Sequence, residues 1–207
     1  MELKRVDIMV DIETLGKDDN ATVFQISAIP FNLMTGEYIE DLSFFNEIAD
    51  IAKNKQLNVD GDTLKWWLNT DKELLTELLN AGAGSSEDIV CSFHSWLEII
   101  VAKYGRENVY LWGNGILFDN RVLKKQIETI GLHYPIFYRN DRDVRTILES
   151  ASFASGLTEQ KIKDLVADEK FVTHNALDDV KKQIKLVSLC YKLITVTKNR
   201  AKKGDAV

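Results

Sequence analysis

Three short acidic segments and one histidine hold the residues of this 207-residue chain whose types and spacing could do chemistry. In the first segment, VDIETLG, Asp11 and Glu13 stand at the end of an apolar run that is typical of a strand. Side chains two residues apart on a strand point to the same face, so these two carboxylates are expected side by side. They repel one another unless a cation lies between them. A solvated strand end explains the same pair, because the chain has 32 acidic residues.

The other acidic segments stand at the starts of predicted helices. Asp119 follows the apolar stretch VYLW and the turn-like GNG, where a carboxylate can either cap the helix or bind a ligand. In THNALDDVKKQ, the helical period places Asp179 at the edge of the apolar stripe, where burial is costly without a partner or a metal. Asp178 points the opposite way, towards neighbouring lysines. His174 comes just before this helix, in a segment that could move.

Clustered acids with one histidine suit the hydrolysis of a phosphodiester. That reaction needs an activated water and stabilisation of the leaving 3′-oxygen, and two hard cations about 3.5–4 Å apart supply both. Carboxylate oxygens are the ligands that such cations prefer. A histidine close to the attacking water can accept its proton near neutral pH.

Hydrophobic patterning predicts an α/β framework for these residues. Short turn-like connections indicate an antiparallel meander of three strands, at Arg5–Asp11, Thr22–Phe31 and Glu37–Phe45. Two further strands are predicted at Val109–Trp112 and Tyr134–Tyr138. Helices are predicted at Asp62–Leu68, Asp71–Leu79, Ser85–Tyr104, Phe118–Ile130 and Asn175–Thr197. This order predicts one α/β domain with a single mixed sheet over residues 1–198, followed by a flexible basic tail at residues 199–207.

The motifs VDIETLG, NGILFDN and HNALDDV, in this order, resemble the three exonuclease motifs of the DEDDh (DnaQ-like) superfamily. A histidine five residues before the last aspartate matches the histidine class of that superfamily. The resemblance implies an RNase H-like fold, with a five-stranded mixed sheet (a three-strand antiparallel meander plus two parallel strands) flanked by helices. It also implies a 3′-5′ exonuclease with two bound Mg²⁺ or Mn²⁺ ions. The implied metal ligands are Asp11, Glu13, Asp119 and Asp179, with His174 as general base.

Three further strings, TLKWWLN, YLWGNGILFD and RDVRT, resemble a narrower DEDDh branch that contains a mycobacterial-type exoribonuclease and phage exonuclease A-like enzymes. This resemblance implies that Thr14, Leu15 and Gly16 line the pocket for the terminal nucleotide, with Leu15 wedged against its base. Trp66 could stack on a base, although a Trp-Trp pair on a helix more often contributes at least one core residue. Arg145 could contact phosphate with Asp143 holding its side chain, or form an ordinary salt bridge. The remaining expected substrate contacts are Asn114 and Phe118.

Bulk composition is ordinary for a globular protein, with 45% hydrophobic and 28% charged residues. The net charge of −6 is unusual for a phosphate-binding protein, but bound cations would reverse the sign locally. Cys91 and Cys190 are predicted to be buried, inert thiols. No apolar run suggests a signal peptide or a membrane helix, so we expect no membrane partner and a cytoplasmic protein, in the host cytoplasm if it is phage-encoded.

Several alternatives remain open at the level of the sequence. A non-catalytic nucleic-acid-binding or scaffold protein with an RNase H-like fold would be expected to lack one of the five site residues, and all five are present. A phosphatase with two metals would share the carboxylates. The substrate is expected to be the 3′ end of single-stranded DNA or RNA, with DNA favoured by the likeness to phage-type enzymes. A homodimer is possible, because the predicted helix at Ser85–Tyr104 could pack on a second copy or only on the sheet.

Overall fold

The computed structural model describes residues 5–39, 41–167 and 170–204, and side chains as far as residue 197. Within those ranges the strands are Val6–Thr14 (β1), Val23–Phe31 (β2), Phe45–Ile48 (β3), Val109–Gly113 (β4) and Asp141–Asp143 (β5). The α-helices are Gly61–Thr70 (α1), Lys72–Ala81 (α2), Ser86–Tyr104 (α3), Asp119–Thr129 (α4), Val144–Ser155 (α5), Glu159–Asp164 (α6) and Ala176–Gly204 (α7).

The strands form one mixed sheet in the order β3-β2-β1-β4-β5. The pairs β1–β2 and β2–β3 are antiparallel, whereas β1–β4 and β4–β5 are parallel. The predicted combination of an antiparallel meander with two parallel strands is therefore confirmed. The central strand β1 extends beyond the end of its parallel neighbour β4. Its pairing with β4 ends at Met9 and Trp112, while its pairing with β2 continues to Thr14.

The sheet has a hydrophobic core on each face. The alternate residues Ile8, Val10 and Ile12 of β1 pack with buried residues of α3 and α4. Met9, on the other face of β1, packs with buried residues of α5 and α7. Because successive side chains alternate between faces, Asp11 and Glu13 share the face of Met9 and lie under α7. A smaller cluster joins Leu15 and Trp67 to the apolar side of α2.

The predicted third strand at Glu37–Phe45 is wrong, since β3 covers Phe45–Ile48. Among the described residues of the predicted strand before Phe45, the strand-like pairing is limited to one isolated bridge, between Tyr38 and Phe31. Ile39 and Leu42 are both buried in the core. A spacing of three residues cannot place two side chains on one face of a strand, so this apolar stretch serves as a packed connection instead.

The predicted last strand at Tyr134–Tyr138 is also wrong. Tyr134, Pro135 and Ile136 are all buried, as the residues of a core strand would be. However, the carbonyl oxygens of residues 134–136 accept hydrogen bonds from the Arg106 guanidinium, and not from β4. The strand that pairs with β4 is the polar segment Asp141–Asp143, which has no apolar signature.

The predicted helices are present, with shifts of a few residues at their ends. α3 opens on the predicted capping box of Ser85 and Asp88, and its apolar side packs on the sheet of the same chain. α7 continues to Gly204, past the predicted domain boundary at residue 198, whereas residues 205–207 of the expected tail lie outside the described residues. None of the described helices is both long enough and apolar enough to span a membrane.

The two thiols differ in burial. Cys190 is buried as predicted, and desolvation raises the pKa of its thiol to about 11. Cys91 is half-buried, so the prediction of burial holds only in part. Desolvation and the nearby carboxylates of Glu87 and Asp88 raise the pKa of the Cys91 thiol as well. Both groups therefore have little thiolate character at neutral pH.

Candidate active site

Three of the predicted acids meet where β1 passes beneath the start of α7. Carboxylate oxygens of Asp11, Glu13 and Asp179 all lie within 4.8 Å of one another. Asp11 Oδ1 accepts a hydrogen bond of 2.8 Å from the Gln183 amide, which fixes its orientation. The alternation along β1 and the helical period of α7 bring residues from distant parts of the sequence to one point.

The two neighbouring aspartates of α7 separate as the helical period predicts. Asp179 turns towards β1, and its Oδ2 accepts a hydrogen bond of 3.1 Å from the His174 backbone N–H. Asp178 turns away, forms an ion pair of 3.0 Å with Lys181 and accepts a hydrogen bond from the Val172 backbone. The first turn of α7 is held over the sheet because Gln25 Oε1 accepts the Ala176 N–H.

The fourth acid, Asp119, reaches the site from the other side of β1. It is the first residue of α4, it is buried, and it lines the same cleft as the other three acids. Its carboxylate accepts hydrogen bonds from its own backbone N–H and from those of Ile12 and Asn114, so one residue ties β1, the loop after β4 and α4 together. It does not belong to the tight group of three oxygens.

Burial and mutual repulsion raise the pKa values of the carboxyl groups in the site. Burial, and then the charges of Asp119 and Asp179, raise the pKa of Asp11 well above its ordinary value. Burial, and then the charges of Asp11, Asp179 and Asp119, raise the pKa of Glu13 well above its ordinary value. Burial raises the pKa of Asp119 to about 7 despite its backbone hydrogen bonds, and burial also raises the pKa of Asp179.

This donor set fits divalent cations. All the offered ligand atoms are carboxylate oxygens, which hard cations such as Mg²⁺ and Mn²⁺ prefer. Mutual repulsion and desolvation disfavour four negative charges in one place, and a bound cation relieves both. The four acids that line the cleft and could hold such ions are Asp11, Glu13, Asp119 and Asp179.

His174 is held beside these acids in an unusual backbone conformation. Its φ of 66° is the one positive φ of a residue other than glycine among the described residues. A left-handed backbone costs free energy outside glycine and persists where the surroundings impose it. Here the backbone N–H is held by Asp179, and the ring packs edge-on against Trp66 with centroids 4.8 Å apart. Trp67 supports the pair from the core, where its Nε1–H donates to the Thr14 carbonyl at 3.1 Å.

The acids and His174 line an open cleft of about 960 Å³. Three of the expected substrate contacts line it as well, namely Asn114, Phe118 and Arg145. The Arg145 guanidinium lies against the backbone of Gly115, and its charge acts on Asp119. Asp143 does not hold Arg145, which corrects that expectation. Its carboxylate caps α5 through the N–H of Thr146 and also accepts the N–H of Ile116.

The remaining expected contacts lie outside the cleft lining. Trp66 is 44% exposed beside His174, whereas Trp67 is the core residue expected of the pair. Thr14 is buried and its hydroxyl donates to the Gly16 carbonyl at 2.6 Å. Leu15 is buried with Trp67 in the small core cluster, a placement that gives it a packing role and does not support a wedge against a base.

Several polar residues that line the cleft were not among the predicted site residues. Gln183 orients Asp11, and Lys163 and Lys182 add positive charge to the lining. Gln183 had a detectable signal, since it follows Asp179 by one helical turn on the same side of α7. Lys163 comes from the short helix α6, and its position depends on how α6 packs against α5 and α7, which no local pattern encodes.

Comparison with known proteins agrees with this geometry. The family model of the 3′-5′ exoribonuclease Rv2179c-like domain matches residues 6–191. An exodeoxyribonuclease of enterobacteria phage T4 is 23% identical over 206 residues, an alignment that covers 86% of each chain. Among solved structures, cell-death related nuclease 4 (CRN-4) matches with a TM-score of 0.65 at 14% identity over 91% of this chain and 64% of that one. The nuclease domain of 3′hExo, a DEDDh family member bound to rAMP, matches with a TM-score of 0.60 at 15% identity. That match covers 90% of this chain and 92% of the 3′hExo chain.

The five-stranded mixed sheet and the acidic cleft define an RNase H-like nuclease of the DEDDh exonuclease superfamily, as the sequence motifs predicted. Within that class, the chain belongs to the Rv2179c-like 3′-5′ exoribonuclease domain family. It is therefore a 3′-5′ exonuclease, and its class implies dependence on divalent metal. The chain spans 64% of the length of the CRN-4 chain that it resembles.

Proposed function

We propose that this chain removes nucleoside monophosphates one at a time from the 3′ end of single-stranded nucleic acid, with two divalent cations and a histidine general base. The observation that carries the proposal is the convergence of acidic oxygens from β1 and α7 within 4.8 Å, in one cleft with Asp119 and His174. Bound there, two Mg²⁺ or Mn²⁺ ions would activate the attacking water and stabilise the leaving 3′-oxygen.

The protein's own groups would do the rest. Asp11, Glu13, Asp119 and Asp179 hold the ions, and Gln183 keeps Asp11 in one orientation. A ring nitrogen of His174 accepts the proton of the attacking water, a task that suits an imidazole near neutral pH. The contact with Trp66 limits the orientations open to that ring.

The cleft also offers groups that suit a nucleotide. Arg145 is placed to meet a phosphate, since its guanidinium lies along the cleft beside Gly115. Phe118 lines the cleft and the exposed face of Trp66 lies at its edge by His174. Stacking on such rings accepts every base and therefore suits an enzyme that must not depend on sequence.

We propose DNA as the preferred polymer. The support is the similarity to the phage T4 exodeoxyribonuclease, which extends over 86% of both chains. The family description names an exoribonuclease, so the two polymers have to be compared directly. A contact with the 2′-hydroxyl is what distinguishes RNA from DNA at a site of this kind.

The test is degradation of 5′-labelled single-stranded DNA and RNA of one sequence, with Mg²⁺, Mn²⁺ or EDTA. We expect a ladder that shortens from the 3′ end with metal only, faster on DNA, and lost in Asp11→Ala and His174→Ala. Asp178→Asn is the matched control, because this residue neighbours Asp179 but turns away from the cleft. Faster degradation of RNA would overturn the choice of polymer. Folded wild-type protein that cleaves neither polymer would favour the non-catalytic scaffold.

A further inference from the structure

Two of the chain's three histidines lie together on the face of the sheet opposite α7. His94 and Glu98 are one turn apart on α3, and His133 follows α4 in the loop that leads to β5. Ligand atoms of these three residues all lie within 4.8 Å of one another. None of them lines the cleft of the catalytic acids.

The spacing of the three side chains is that of ligands around a small metal ion. Glu98 Oε1 is 3.7 Å from His94 Nε2 and 3.0 Å from His133 Nε2. In a tetrahedral zinc site with ligand bonds of about 2.0–2.2 Å, two ligand atoms are about 3.3–3.5 Å apart. The two distances in this cluster bracket that value, so a cation fits after small movements of the side chains.

The Glu98 carboxylate between the two histidines has an oxygen without a hydrogen-bond partner. Glu98 Oε1 is shielded from solvent and has no hydrogen-bond partner, although two imidazole nitrogens lie close to it. A buried carboxylate oxygen without a partner costs free energy. Coordination to a cation would satisfy this oxygen.

We propose that His94, Glu98 and His133 form a second metal site, which binds Zn²⁺ and is separate from the catalytic centre. Two imidazoles with one carboxylate favour zinc over magnesium, whereas the all-oxygen catalytic site favours hard cations. The zinc would join α3 to the loop after α4. It would thereby fix the far end of the helix whose first residue is Asp119.

One existing contact has to change when zinc binds. His94 Nε2 lies 3.0 Å from the His133 carbonyl oxygen, and because a carbonyl only accepts, Nε2 carries the proton there. Zinc binding at Nε2 requires the neutral imidazole to carry its proton on Nδ1 instead, and the His133 carbonyl to turn away. The surroundings allow this, since the His133 side chain is 71% exposed and lies in the connection between α4 and β5.

The test is a calorimetric titration of the full chain with Zn²⁺ in excess Mg²⁺, which keeps the catalytic carboxylates occupied. We compare the wild type with His133→Ala, which removes an exposed ligand, and with Glu98→Gln. His174→Ala is the control, since it removes the other histidine of the chain. Zinc X-ray absorption of the loaded protein reports imidazole ligands directly.

We expect the wild type and His174→Ala to bind one Zn²⁺ per chain, with two imidazole ligands and a raised Tm. Loss of an outer-shell partner already costs about 10–100-fold in metal affinity, so His133→Ala should weaken binding by at least about 100-fold. Glu98→Gln should weaken it in the same direction, and it decides the question if His133→Ala does not fold. Equal zinc binding by the wild type and the folded variants would overturn the proposal and leave an ion-pair cluster only.

Discussion

Replacing Asp119 by asparagine should stabilise the metal-free protein above neutral pH while it removes one of the proposed metal ligands. Asp119 is buried at the start of α4, where desolvation raises its pKa from 3.8 to about 7. The folded protein therefore holds a proton that the unfolded chain releases, so stability falls as pH rises from about 4 to about 7. Asparagine keeps an acceptor for the backbone N–H groups of Ile12 and Asn114 but carries no charge.

The size of the effect follows from the shift of the pKa. One pKa unit corresponds to about 1.4 kcal/mol, so the ionised carboxylate at pH 8 costs on the order of 4 kcal/mol relative to a neutral one, and at pH 5 less than half of that. For a domain of about 200 residues, 1 kcal/mol shifts Tm by about 2–4 °C. Asp119→Asn should therefore raise Tm in EDTA by about 8–16 °C at pH 8 and much less at pH 5.

The assay is thermal unfolding in EDTA from pH 5 to pH 8, repeated with saturating Mg²⁺. Magnesium should reverse the order of Tm, because the wild type gains more from a cation than a variant that lacks one carboxylate. Asp178→Asn serves as control and should not gain stability, since it loses an ion pair with Lys181. An unchanged Tm of Asp119→Asn at pH 8 in EDTA would refute the view that this carboxylate is held in a desolvated cluster.

Four further substitutions probe the groups around the acids. His174→Gln should lower kcat by about 10²–10⁴-fold in single-turnover assays with Mg²⁺ and leave the Tm close to that of the wild type. Gln183→Leu should weaken metal binding by about 10–100-fold in calorimetry, because Asp11 loses the amide that orients it. Trp67→Ala should lower the free energy of unfolding in urea by about 3–5 kcal/mol, because it removes a buried ring. Trp66→Ala removes an exposed ring and should cost far less stability, but it should lower kcat because His174 loses the ring that it packs against.

The placement of the candidate acids could be predicted from the sequence because each obeys a local rule. Alternation along β1 places Asp11 and Glu13 on one face, and the period of α7 separates Asp179 from Asp178. The support around them could not be predicted, because it depends on packing between distant elements. The edge-on contact of Trp66 with His174 joins α1 to the segment before α7, and no pattern within either segment signals it.

The two wrong strands show the same limit in the fold. Tyr134, Pro135 and Ile136 are buried as the residues of a core strand would be, yet the Arg106 guanidinium donates to their carbonyl oxygens, and no strand forms there. The actual edge strand at Asp141–Asp143 is polar, and its aspartates accept hydrogen bonds from neighbouring segments. Asp141 accepts hydrogen bonds from Asn120 and from the Tyr134 hydroxyl. An apolar pattern therefore indicates burial. Strand pairing also requires backbone N–H and C=O groups that are not hydrogen-bonded to other groups.

The sheet itself explains why the acids from its two faces can meet. β4 ends at Gly113 while β1 continues to Thr14, so the chain that leaves β4 can enter α4 beside the part of β1 that does not pair with β4. A Cβ at Gly113 would collide with Asn120 and crowd the Asp119 carboxylate. A side chain at that position would push the start of α4, and with it Asp119, away from β1. Glycine at position 113 therefore sets the approach of the fourth acid to the other three, a role beyond that of a turn residue.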